Sequence, residues 1–151
     1  MIQLAAHEDI PLLVEMMEEF YAESDVPLDH CVAAASFKTL LEKPDFGAIW
    51  IYFDGSEAVG YVVLTVCFSM EFGGLDGNID DLYVRPSARR KGFGQELVQS
   101  LLIECHDRGL EALHVEVAPF NGPAKAVYER IGLQLREDDR DVMTAKLKGE
   151  F

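Results

Sequence analysis

The run Arg89-Arg90-Lys91-Gly92-Phe93-Gly94 sets three bases beside two glycines, at the junction of a predicted strand and a predicted helix. Glycines there let successive backbone N–H groups turn toward one point, and the unpaired amides and positive dipole end of the helix favour an anion. Arg85 precedes the run, so four of the chain's 13 Lys and Arg residues fall within 85–91. A pyrophosphate fits such a loop. Two familiar phosphate sites do not: no Gly-x-x-x-x-Gly-Lys-Ser/Thr run exists, and a Gly-x-Gly-x-x-Gly fingerprint fails because Leu97 stands at its third glycine. Glu116 does fall roughly where that second motif keeps a ribose-binding acid.

Carboxylates are the other groups that can do chemistry. Asp80 and Asp81 are adjacent in a predicted strand, so they point to opposite faces, Asp80 with Leu82 and Val84 and Asp81 with Tyr83, unless a bulge intervenes. Glu15 and Glu19 are four apart on a predicted helix, where like charges cost roughly a few tenths of a kcal/mol and a nearby cation relieves them. These acids belong to a wider asymmetry. Residues 1–84 hold 16 acids against two bases and residues 85–151 hold 11 of each, which yields the net charge of −14. Such a chain is repelled by phosphate backbones and anionic lipid, so nucleic acid and membrane are disfavoured as partners. The N-terminus lacks the features of a secretory signal and no segment reaches the ~20 apolar residues of a bilayer span, so a soluble, cytoplasmic protein is expected. Cys31, Cys67 and Cys105 and the four histidines show no ligand spacing, and no metal is expected.

The elements that position these groups are legible from periodicity. Ile10, Leu13, Val14, Met17 and Phe20 or Tyr21 recur at helical spacing from Asp9 to Ala22, and a second helix is predicted from Asp29 to Lys43, stopped near Pro44. Residues 47–54 and 58–70 read as a hairpin, 78–84 as a further strand, 92–108 as a helix ended by Gly109, 112–117 as a strand, and 121–132 as a helix. The segments 133–136 and 141–147 read as closing strands. The order β-α-α-β-β-β-α-β-α-β-β, with no linker or repeat, predicts one α/β or α+β domain.

Two stretches resemble the GNAT superfamily of acetyl-CoA-dependent N-acetyltransferases. IDDLYVRPSARRKGFGQELV is similar to the family's central motif, Arg/Gln-x-x-Gly-x-Gly/Ala after the fourth strand, here Arg89-x-x-Gly92-x-Gly94. NGPAKAVYERIGL is similar to its Asn-x-x-Ala-x-x-x-Tyr-x-x-x-Gly-Phe helix through Asn121, Ala124, Tyr128 and Gly132. Arg90 stands where relatives frequently have glycine, and Leu133 replaces the closing phenylalanine.

The resemblance implies a single domain over 1–151, with acceptor-side helices in 1–46 and a cofactor-binding core in 79–133. It also implies a mixed central sheet of about six to seven strands with helices on both faces, splayed between strands 75–85 and 112–117. Acetyl-CoA is the implied co-substrate. Its pantetheine arm would lie along Leu82, Tyr83 and Val84, its pyrophosphate on the loop Arg89, Arg90, Lys91, Gly92, Phe93, Gly94 and Gln95, and its arm again against Asn121, Ala124 and Tyr128. Deprotonating an ammonium of pKa near ~10.4 calls for a carboxylate, and the resemblance favours Asp80, with Asp81 and Glu116 in reserve. Tyr128 is the implied proton donor to the departing thiolate, whose thiol titrates near ~8.5. The acidic first half, with Glu15, Glu19, Asp80 and Asp81, suggests a cationic acceptor: a polyamine, an aminoglycoside-like sugar or a peptide amine. A catalytically idle acyl-CoA sensor is the alternative, and a homodimer is a further expectation.

Overall fold

The computed structural model describes residues 1–136 and 142–148. Its elements are β1 (Ile2–Leu4), α1 (Ile10–Ala22), α2 (His30–Glu42), β2 (Gly47–Asp54), β3 (Glu57–Ser69), β4 (Gly74–Val84), α3 (Phe93–Asp107), β5 (Ala112–Val115) and α4 (Gly122–Arg130). The strands form one sheet in sequence order, antiparallel from β1 to β4. α3 then crosses over, and β5 runs parallel to β4.

Local chemistry sets the helix boundaries. Asp29 caps α2 by accepting from the Cys31 and Val32 amides at 2.9 and 3.0 Å, and Asn121 caps α4 by accepting from the Ala124 amide at 3.2 Å. Each face of the sheet has its own core. Leu13, Met16 and Phe37 from α1 and α2 pack on Ile49, Ile51, Tyr61, Val63 and Tyr83. Leu97, Val98, Leu101 and Cys105 of α3, with Tyr128 of α4, pack on Trp50, Val62, Leu64 and Ile79. Helices on both faces were expected, and the sheet has them.

The expected six to seven strands are not found: the described residues carry five. Residues 133–136 and 142–147 form no strand, and Asp141 lies outside the described residues. Alternating apolar residues do not make a strand without a partner ladder, and Leu135, Val142 and Leu147 are exposed here. β5 also stops at Val115, two residues short of its expected end.

Candidate active site

β4 carries the site. It pairs with β5 from Asp76 to Ile79, so its edge from Asp80 to Val84 has no β5 partner and the two strands splay. The Arg85 N–H donates to the Val59 carbonyl at 2.8 Å, continuing the ladder to β3. Hydrogen-bonded and open positions alternate along an antiparallel ladder, so Tyr83 bonds toward β3 while Leu82 and Val84 turn their main-chain groups into the opening. Arg89 Nε donates to the Val84 carbonyl there, at 2.8 Å.

A cleft of about 920 Å³ occupies this opening, between α1, the end of β4, the loop before α3, and α4. Leu82, Tyr83, Val84, Arg89, Arg90, Gly92, Phe93, Gly94, Gln95, Asn121 and Ala124 all line it. The loop turns through left-handed conformations at Arg90 (φ 62°) and Gly92 (φ 89°). Glycine adopts them freely, whereas another L-residue loses roughly 1–2 kcal/mol. Gly92 is the N-cap of the 15-residue α3, so the amides of Phe93, Gly94 and Gln95 find no acceptor within the helix. Tyr52 fixes this helix start by stacking on Phe93, centroids 4.3 Å apart, and by donating to Glu96 at 3.0 Å. The donor set suits a diphosphate: adjacent main-chain N–H groups, a helix dipole, and cationic side chains at the rim.

The four bases of the cluster have different duties. Arg85 bridges Glu15 (2.5 Å) and Glu19 (2.8 Å) and donates to the Ala58 carbonyl at 2.9 Å. Arg89 pairs with Glu23 and sits over the Tyr83 ring, bracing the loop against α1. Lys91 lies 3.6 Å from Asp54 and does not line the cleft. Arg90 has no carboxylate partner among the described residues and lines the cleft. The cation that relieves Glu15 and Glu19 is therefore Arg85, and neither glutamate lines this cleft or the neighbouring cavity.

A second cavity, about 660 Å³, lies between α1, α2 and the β3–β4 ladder. Val63 pairs with Asp81 and Leu64 with Ile79, which makes Asp80 the extra residue of a β-bulge. The alternation expected of adjacent strand residues is broken, and both aspartates line this cavity. Asp80 is exposed, while Asp81 is 8% exposed and accepts from the fully buried Tyr61 hydroxyl at 2.9 Å. Burial pushes the Asp81 carboxyl up to about 6; the Tyr61 hydrogen bond opposes this and the Asp80 charge adds to it. Tyr21 on α1 senses the same charges, its phenol raised first by burial and then by Asp81 and Asp80.

The sequence model of the acetyltransferase (GNAT) family matches residues 12–133. This chain belongs to that family. It is 25% identical over 135 residues to a thialysine N-epsilon-acetyltransferase of Bos taurus, covering 87% of this chain and 73% of the bovine protein. It superposes on an integron cassette protein from the Cole Harbour Salt Marsh mobile metagenome with a TM-score of 0.87 at 43% identity, over 99% of this chain and 91% of that one. A predicted acetyltransferase of Clostridium acetobutylicum, solved with acetyl-CoA, shares the fold at a TM-score of 0.79 and 17% identity, over 95% of each chain.

Other residues of the acetyltransferase depart from their expected positions. Tyr128 is buried in the α3–α4 core, and burial pushes its phenol up to about 12, well above the thiol range. It does not line the cleft, but it lies one turn beyond Ala124, which does. Glu116 is exposed just past β5 and lines neither cavity. Arg130, Phe20, Glu23 and Val127 line the cleft without having been singled out from sequence. Arg130 could have been found as the basic residue in the last turn of α4, the helix that Asn121 and Ala124 already marked as facing the cofactor. Among the described residues, no cluster of three or more His, Cys, Asp and Glu side chains could hold a metal, and no helix is long and apolar enough to cross a membrane.

Proposed function

We propose that this acetyltransferase moves an acetyl group from acetyl-CoA directly to a primary amine within a ternary complex, residues 79–133 holding the cofactor and residues 1–46 shaping the acceptor side. One observation carries the reading: consecutive β4 residues border both cavities, Asp80 and Asp81 on one and Leu82 to Val84 on the other. A nucleophile held by the aspartates is thereby delivered to whatever lies along the open strand edge.

Acetyl-CoA, when bound, supplies an activated acyl group as its thioester. The amides of Phe93 to Gln95, with Arg90 and Arg130 at the rim, hold its diphosphate, and the Asn121–Ala124 turn lies against its arm. The main-chain groups of Leu82 and the Val84 N–H receive the arm as an added strand, and an N–H there stabilises the carbonyl oxygen as charge develops. Asp81 takes the proton from the ammonium. Its raised pKa keeps it ionised at neutral pH while making it a stronger base than a solvated carboxylate. Asp80, exposed at the same cavity, provides the charge that binds the ammonium. After Asp81 has taken one ammonium proton, the amine's C–N bond would form as the C–S bond breaks, the bonding pair going to sulfur and the second nitrogen proton passing to that sulfur, so that CoA would leave as its thiol. Tyr128 is too weak an acid for full transfer to a thiolate; its hydroxyl, one turn beyond Ala124 and behind the cleft wall, would donate a hydrogen bond to the sulfur only once the arm is seated.

An acetyl-CoA consumption screen across primary amines tests this. Turnover should rise with pH through about 6, because catalysis needs ionised Asp81. Binding of acetyl-CoA with no amine consumed in the screen contradicts the reading and indicates an acyl-CoA sensor.

A further inference from the structure

Of the acidic residues that suggested a cationic acceptor, Asp80 and Asp81 reach the acceptor cavity and Glu15 and Glu19 do not. Glu15 and Glu19 are held by Arg85, and Glu23 by Arg89. The charges lining the cavity are Asp80 and Asp81 alone. Most of the rest of its wall is apolar, including Met17, Val32, Phe37, Leu40, Phe46 and Val66. Three hydroxyls line it, and each already has an acceptor: Ser36 donates to the Val32 carbonyl and Thr39 to the Ala35 carbonyl, both at 2.8 Å, while Thr65 faces the Asn78 carbonyl at 3.5 Å. A polyhydroxylated or polyamine body entering here exchanges water for hydrocarbon and meets only three hydroxyls, whose donors are already engaged and which carry no charge.

We propose that the acceptor is an amphipathic monoamine: one ammonium anchored at Asp80 and Asp81, and an uncharged alkyl or aryl body filling the cavity between α1, α2 and β3. The proposal rests on the acetyltransferase reading and narrows it to a substrate class. The apolar walls supply binding energy, and the aspartate pair fixes which end of the molecule is presented to the open edge of β4. Val32 and Phe46, 62% and 51% exposed, form the outer part of the wall, where chain length and branching are read.

The experiment compares hexylamine, phenethylamine, hexamethylenediamine and spermidine at saturating acetyl-CoA, by kcat/KM and by calorimetric binding to the full chain. Hexylamine should exceed hexamethylenediamine by about tenfold or more, since a second charge must be desolvated against hydrocarbon. Val32→Glu, a substitution at an exposed helix position that leaves the core intact, should narrow or reverse that ratio by about tenfold by giving the second ammonium a partner. Equal or better turnover of the diamine or spermidine by the unaltered protein overturns the proposal, as does a ratio unmoved by Val32→Glu. Tight binding of hexylamine over the diamine without turnover supports the proposal while contradicting the catalytic reading. Binding of neither amine overturns the proposal even if acetyl-CoA binds.

Discussion

On the proposed reading, the two cavities that meet on β4 recognise their contents by opposite means. The cofactor cleft works through the main chain: left-handed φ angles at Arg90 and Gly92, free amides at the start of α3, and an unpaired strand edge at Leu82 to Val84. Three of the four nearby bases brace the fold through carboxylates. The acceptor cavity works through side chains, with two carboxylates set in an apolar wall by a bulge. A main-chain site is hard to retune without refolding the loop, whereas a side-chain site changes its preference with one substitution at its wall. The two buried aspartates show the same contrast in electrostatics. Asp76 has His114 at 3.0 Å, while Asp81 has a neutral phenol, which satisfies a lone pair without cancelling the charge. Burial therefore holds the Asp81 carboxyl at a raised pKa, which the Tyr61 hydrogen bond only partly offsets.

Breaking the side-chain site should have the largest effect. Asp81→Asn should lower kcat by about 10²–10⁴ with acetyl-CoA affinity unchanged, as read by steady-state kinetics and calorimetry. It should also stabilise the fold. A carboxyl whose pKa rises on folding binds its proton more tightly in the native state, so ionisation opposes folding above pH 6 and the penalty fades as pH falls toward the ordinary carboxylate range. The asparagine variant should therefore be more stable to unfolding by up to about 3 kcal/mol at pH 8, with the advantage shrinking toward pH 4. Next in size is the main-chain site. Gly92→Val forces a β-branched residue to φ 89° and should weaken acetyl-CoA binding by about tenfold or more while amine binding holds, because roughly 1–2 kcal/mol of strain falls on the loop.

Tyr128→Phe sharpens the boundary between the sites. If the hydroxyl only donates to sulfur, kcat should fall by about tenfold, equivalent to one hydrogen bond to a charged group, with KM for acetyl-CoA unmoved. The smallest effect is expected at Arg90→Gly. Removing a side chain from φ 62° should raise stability by up to about 1 kcal/mol in thermal melts, with a severalfold loss of acetyl-CoA affinity that disappears at high salt.

How much of this was visible in the sequence divides along the same line. The cleft was legible because main-chain devices leave compositional traces: glycine at a positive φ, a capping Asn121, and bases gathered near a helix start. The splay was an implication of the family resemblance, and β5 proved two residues shorter than its apolar run. The acceptor cavity left no such trace. Its walls are ordinary apolar positions of α1, α2 and β3, and the bulge that turns Asp80 beside Asp81 depends on cross-strand register that no single strand encodes. The charge of α1 misled for a related reason, since composition does not show that Arg85, 66 residues after Glu19, returns to neutralise it. The closing strands failed where apolar alternation had no partner to pair with.

Electron density for the protein crystallised with acetyl-CoA tests the account most directly. The prediction is a diphosphate against the amides of Phe93 to Gln95 and an acetyl group at Leu82, with its open face toward Asp81. A nucleotide seated away from this loop, or an acetyl group turned from the aspartates, contradicts it.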